Sequence, residues 1–143
     1  MIKAILVLFF YFFATVVFAQ TNADDILGKW KAEDGKARFE VYKTGENYNI
    51  KINWLAEPNN EKGILKLDKN NPDKNLRNHP IVGLMIANNL KYSVGDKEWK
   101  GAIYSPEKGI MANCIINLIS KNDLQLKVSK YLISETKKWN RYE

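Results

Sequence analysis

Apolar residues recur at every second position along most of this chain, and that period leaves little choice but β-strands with one dry face each. Between Asn47 and Leu55, the residues Tyr48, Ile50, Ile52 and Trp54 share one face, and Asn49, Lys51 and Asn53 share the other. Just before, Ala37, Phe39 and Val41 alternate with Arg38, Glu40 and Tyr42, and Thr44-Gly45-Glu46 reads as the hairpin turn between the two. The second half repeats the pattern. Trp99, Gly101 and Ile103 share a face, and Ser105 to Gly109 is a turn opened by Pro106. Ile110, Ala112, Cys114, Ile116 and Leu118 form the next dry face, before Lys121-Asn122-Asp123 turns the chain again. Leu124, Leu126 and Val128 then alternate with Gln125, Lys127 and Ser129. Adding Gly28 to Glu33, Leu84 to Tyr92 and a last segment from about Thr136 to Tyr142 gives eight strands, and no stretch carries a helical period.

Most links between these segments are short, so neighbours in sequence are expected to be antiparallel neighbours in space. Eight such strands either stack as a sandwich or close into a barrel, and up-and-down order with tight turns favours the barrel, which leaves no edge exposed. The expected fold is therefore all-β: an eight-stranded antiparallel up-and-down barrel formed by residues 20–143 as one domain. One stretch escapes the period. Ala56 to Pro80 is rich in Asn and Lys and holds Pro58, Pro72 and Pro80; Ile64 to Leu67 could add a short strand there. A link this long in a small domain is commonly functional or hides an element.

The first nineteen residues stand apart. Lys3 is their only charge, Ala4 to Phe18 is almost unbroken apolar sequence, and Val17-Phe18-Ala19 ends it with the residues a signal peptidase reads. The run is shorter than a membrane span usually requires. The expectation is a signal peptide over 1–19, cleaved after Ala19, leaving no transmembrane anchor and a periplasmic or secreted protein. No Cys follows the run, so lipoprotein acylation has no acceptor. Five of the six Phe leave with this segment, whereas Trp30, Trp54, Trp99 and Trp139 all remain as the large rings of the core.

Cys114 is the only cysteine, so the domain is held by its core and not by a disulfide. Its place on a dry face reads as a buried small hydrophobe; a nucleophile needs a base nearby, and His79 is the only histidine. Losing Lys3 takes the formal charge from +6 to +5, with acidic residues interspersed. No basic stripe marks a nucleic-acid partner.

Gly28-Lys29-Trp30 opens the first strand, and Trp139 and Arg141 lie two apart on the last. This resembles the Gly-x-Trp start of lipocalins and related calycin barrels, in which the Trp plugs one barrel end beneath a basic residue from the last strand. The resemblance implies structural barrel closure by Trp30, Trp139 and Arg141, with Arg141 stacked over Trp30. The long helix that follows a typical lipocalin barrel is missing. Further pieces run in order: Leu67-Asp68 to Asn71-Pro72-Asp73, Arg77, Pro80, Gly83, Trp99, Tyr104-x-Pro106, Gly109 and Trp139-x-Arg141. Together they resemble the bacterial family named domain of unknown function 2147 over nearly all of residues 20–143. That resemblance implies a signal peptide and a lipocalin-like barrel, and no activity. His79 stands where the family pattern has a basic residue before the proline, which weakens an anion-binding role there.

Candidate sites follow from the barrel. Tyr48, Ile52, Trp54 and Trp99 are the inward wall residues for a small apolar or amphipathic ligand. Asp68, Asn71 and Arg77 are expected at one mouth, either orienting a polar headgroup or, with Asp68 paired to Arg77, pinning the long loop. Asp68, Asn70 and Asp73 have the oxygen chemistry of a calcium site but lack the Gly and distal Glu of an EF-hand; Asx turns explain them more simply. Asp68 and Asp73 as an acid–base pair need a fixed separation that nothing in the sequence supplies. The reading is a non-enzymatic exported protein with no cofactor and no metal. It binds a small ligand in the barrel or, alternatively, is a solid barrel whose loop 56–80 contacts an envelope protein or polysaccharide. An enzyme of unknown class is the third reading.

Overall fold

Every alternating segment forms a strand, and each strand hydrogen-bonds to the next. The computed structural model describes residues 21–143; the expected leader and its expected cleavage after Ala19 lie outside the described residues. The strands are β1 (Gly28–Ala32), β2 (Ala37–Thr44), β3 (Asn47–Leu55), β4 (Met85–Ser93), β5 (Glu98–Ser105), β6 (Ile110–Ser120), β7 (Asp123–Lys130) and β8 (Ile133–Arg141). All neighbours are antiparallel, and β8 returns to β1 to close an eight-stranded up-and-down barrel. A sandwich is excluded by that closure.

Inward residues follow the period of two. Trp30, Val41, Ile50, Ile52, Leu90, Trp99, Ile103, Cys114, Ile116, Leu124, Leu126 and Trp139 form one buried core, and Phe39 stacks on Trp139 with ring centroids 3.9 Å apart. Burial of this apolar surface is the main favourable term in a domain without a disulfide.

Two strand details differ from the sequence reading. The last strand begins at Ile133, because Lys130↔Ile133, Ser129↔Ser134 and Val128↔Glu135 pair it to β7 well before Thr136. The polar run Ser134-Glu135-Thr136 hid this extension. Trp54 leaves the dry face of β3: the register slips between Arg38 and Phe39, and a slip of one residue swaps faces. Its ring is 38% exposed and lies under the Arg38 guanidinium at 4.5 Å.

The turns divide the barrel into two ends. One carries the β2–β3, β4–β5 and β6–β7 turns and is closed by a 3-10 helix, Ala23–Ile26. The other carries the β1–β2, β5–β6 and β7–β8 turns and the long β3–β4 connection, which contains a second 3-10 helix, Lys74–Leu76. Ile64 to Leu67 makes only isolated bridges, Asn59↔Leu65 and Leu67↔Pro80, instead of a strand.

Candidate functional site

At the closed end, the short helix is a plug built from backbone carbonyls. Asn22 and Asp25 form a capping box that starts it. Trp30 Nε1 donates to the Ile26 carbonyl at 2.9 Å and Trp99 Nε1 to the Ala23 carbonyl at 3.1 Å. The Tyr48 hydroxyl donates to Asp24 at 2.6 Å, and Asp24 also pairs with Lys43 at 2.9 Å. These two contacts hold the Asp24 carboxyl below its ordinary pKa.

Arg141 fastens the plug to the barrel. Its Nη1 donates to the Leu27 carbonyl and its Nη2 to the Asp25 carbonyl, both at 2.7 Å, and Nε donates to the Lys121 carbonyl at 2.8 Å. The guanidinium lies 4.2 Å from the Trp30 ring centroid. Gly28 has φ +122°, and a Cβ there would sit 2.7 Å from Arg141 Nη1. The glycine of Gly-x-Trp is thus the gap through which Arg141 reaches the plug.

At the open end, the long connection docks through a fully buried carboxylate. Asp68 is 0% exposed. Its Oδ1 accepts from the Tyr104 hydroxyl at 2.8 Å and its Oδ2 from Asn71 Nδ2 at 2.7 Å. Arg77 does not pair with Asp68. Its Nε donates to the Asn71 carbonyl at 2.7 Å, so the expected ion pair is replaced by a relay in which Arg77 holds the backbone that holds Asp68. Burial, then the bond to Asp68, pushes the Tyr104 phenol up to about 12, with the Arg77 charge acting in the opposite sense. The Asn70 side chain donates to the Glu107 carbonyl at 2.8 Å, and Asp73 caps the second 3-10 helix. Gly109, at φ +63°, lets the β5–β6 turn touch this loop, because a Cβ there would stand 2.1 Å from the Asn70 carbonyl oxygen.

Asp68, Asn71 and Arg77 therefore do come together at the rim, but Asp68 and Asn71 spend their polar atoms on one another and on the scaffold. Tyr48 and Trp99 are buried and tied to the plug, Ile52 is buried in the core, and Trp54 is on the outside. Asp68, Asn70 and Asp73 turn to different partners. Among the described residues no three His, Cys, Asp or Glu side chains gather at metal-binding distance, and no buried side-chain nitrogen or oxygen lacks a partner. Cys114 is buried, its thiol pushed up to about 11 by that burial, while His79 is exposed on the loop.

The sequence reading missed the plug residues Asp24, Asp25 and Ile26, although Asn22 and Asp25 at capping-box spacing were their signal. It quoted Tyr104 without giving it a role, because the period of two places that residue on the face opposite Trp99 and Ile103.

The barrel is similar to a solved structure described as protein HP1028 from the human pathogen Helicobacter pylori, of the lipocalin family. The TM-score is 0.69 at 21% identity, covering 82% of each chain. At that identity the likeness concerns the fold. A search of curated proteins finds no match. The profile of the family described as uncharacterized protein conserved in bacteria, DUF2147, matches residues 28–141. That span runs from the glycine of the plug to the arginine that fastens it, and the chain belongs to this family.

Proposed function

We propose that this protein works outside the cytoplasm as a non-enzymatic binding protein for a small amphipathic molecule, seated at the open end of the barrel and not in its middle. The observation that carries this is a change in the inward face along the barrel axis. Toward the plug, Trp30, Trp99, Ile50, Leu90 and Ile116 keep no exposed area, whereas residues lining a ligand-sized void would keep some. Toward the mouth, register places Ala112 opposite Ile103 and Val128 opposite Cys114, so both face inward, yet both are only half-buried. Phe39, stacked on Trp139, is also half-buried. Glu135 and Lys137 continue the same face of β8 and are exposed, paired at 3.0 Å. An apolar floor under a charged rim suits a tail with a polar head. The leader supports export, and the lipocalin-like barrel supports a ligand by analogy of fold.

The test is native mass spectrometry of protein taken from its own envelope, followed by titration with a fluorescent fatty-acid probe. A co-purifying amphipath is expected, together with probe binding that Val128→Trp abolishes and Trp54→Ala, on the outer face, leaves intact. A bare mass with no probe binding, or binding indifferent to Val128→Trp, overturns the reading. A second reading is favoured by Ile64 and Leu65, 57% and 49% exposed on the long loop. Here the loop contacts an envelope protein or polysaccharide. Deleting Asn59 to Lys62 then removes partner capture, and unchanged capture refutes that end of the loop.

A further inference from the structure

The β7–β8 hairpin ends at the open mouth with the edge of β8 uncovered. β1 pairs with β8 only at Trp30↔Arg141, Lys31↔Asn140 and Ala32↔Trp139. Among the described residues, 133–138 of β8 therefore have β7 as their sole strand neighbour, while β7 stays paired to β6 as far as Asn113↔Ser129, so the turn from Lys130 to Ile133 is the part that stands clear of the sheet. At its tip, Tyr131, Leu132 and Ile133 are 93%, 102% and 76% exposed. Tyr131 also sits at φ +54°, a backbone position that favours Gly or Asn. Met111, 54% exposed, lines a groove with Lys130 and Tyr131 and extends the apolar patch.

Lysines lie at and behind this tip. Lys130 adjoins it on β7, and Lys127, Lys137 and Lys138 follow three, four and five residue pairs down the hairpin. Lys130 Nζ lies 5.8 Å from the Tyr131 ring centroid. Lys108 on the β5–β6 turn is close enough to help lower the pKa of Glu135, the acidic residue of β8, which is already paired with Lys137. We infer that this hairpin is a membrane-docking tip: Tyr131, Leu132 and Ile133 enter the interface of an anionic phospholipid bilayer while the lysines engage its headgroups. Apolar side chains beneath a basic collar match such a surface, and Tyr suits the headgroup level. A second copy of the chain fits worse. A two-residue turn offers far less than the area of a stable dimer, and the two collars would repel.

The assignment is tested by co-sedimentation with phosphatidylcholine vesicles, with and without phosphatidylglycerol. Because residues 21–143 contain the whole barrel, the protein used is the chain beginning at Gln20. Binding is expected only to the phosphatidylglycerol vesicles and is expected to weaken with salt. Leu132→Glu should lower partitioning tenfold or more. Lys130→Gln should lower it about fivefold, the factor expected per basic side chain at an anionic surface. Val94→Glu changes a residue 76% exposed at the opposite end and should change nothing. Absence of binding to phosphatidylglycerol vesicles overturns the inference, as does equal loss in Val94→Glu. So does a dimer, seen by ultracentrifugation, that Leu132→Glu dissolves without any vesicle binding.

Discussion

Replacing Tyr104 by Phe removes a single oxygen, and the structure specifies what that oxygen does. Asp68 is wholly buried and receives two side-chain hydrogen bonds, from Tyr104 at 2.8 Å and from Asn71 at 2.7 Å. Phe keeps the ring packing but leaves one carboxylate oxygen without its side-chain donor. A hydrogen bond to a charged acceptor is worth roughly 1.5–3 kcal/mol, and an orphaned buried acceptor adds to the loss. Tyr104→Phe should therefore destabilise the domain by about 2–3 kcal/mol, a fall in Tm of roughly 6–12 °C for a chain of this size. Paired urea and thermal melts followed by circular dichroism measure it. The pH dependence supplies an independent check. The folded state raises the Tyr104 phenol to about 12, against roughly 10 when unfolded. The folded protein thus holds the proton more tightly, and the associated stability is complete below about pH 10 and is lost as pH rises toward about 12. The stability difference between parent and Tyr104→Phe should shrink across that window. A difference under about 0.5 kcal/mol, of the size of an ordinary surface change, that also stays flat from pH 9 to pH 12 would show that Tyr104 does not hold the buried carboxylate.

Three further outcomes are expected. Gly109→Ala should cost about 2 kcal/mol or more, since both the positive φ and a backbone carbonyl oppose the new Cβ, and limited proteolysis should then cut the undocked segment around residues 70–80; resistance equal to the parent's counts against this docking. Arg141→Lys should lose about as much stability as Arg141→Ala, about 2–4 kcal/mol by urea melts, because one ammonium cannot reach three carbonyls and cover the Trp30 ring. Recovery of most of that stability by Lys would mean that charge alone fastens the plug. Cys114, with its thiol raised to about 11 by burial, should resist a disulfide reagent at neutral pH in the folded protein and react fully in guanidinium; stoichiometric reaction of the native state would contradict its burial.

The barrel was readable in the sequence because its evidence is local. Tyr48, Ile50 and Ile52 declare their face within five residues, and Thr44-Gly45-Glu46 declares the turn. Arg141 over Trp30, expected from the family resemblance, is found at 4.2 Å; the other readings that depend on a partner far along the chain failed. The slip between Arg38 and Phe39 leaves no mark in the pattern of β3, so Trp54 read as a core ring and is a surface ring. Asp68 and Asn71 were visible as a polar segment, but the partner that decides their role, Tyr104, lies 36 residues from Asp68 and falls on the wet face by period. Likewise Arg141 meets the carbonyl of Leu27 across 114 residues. The charged rim at Glu135 and Lys137 escaped for the opposite reason. A polar residue on an inward face reads as a loop when the strand is assumed to be covered, and here β1 ends at Ala32 and leaves that part of β8 uncovered. The two proposed binding surfaces therefore fall where strand pairing stops: at the mouth, where inward residues outrun their neighbours, and at the hairpin tip, where β8 runs on without β1.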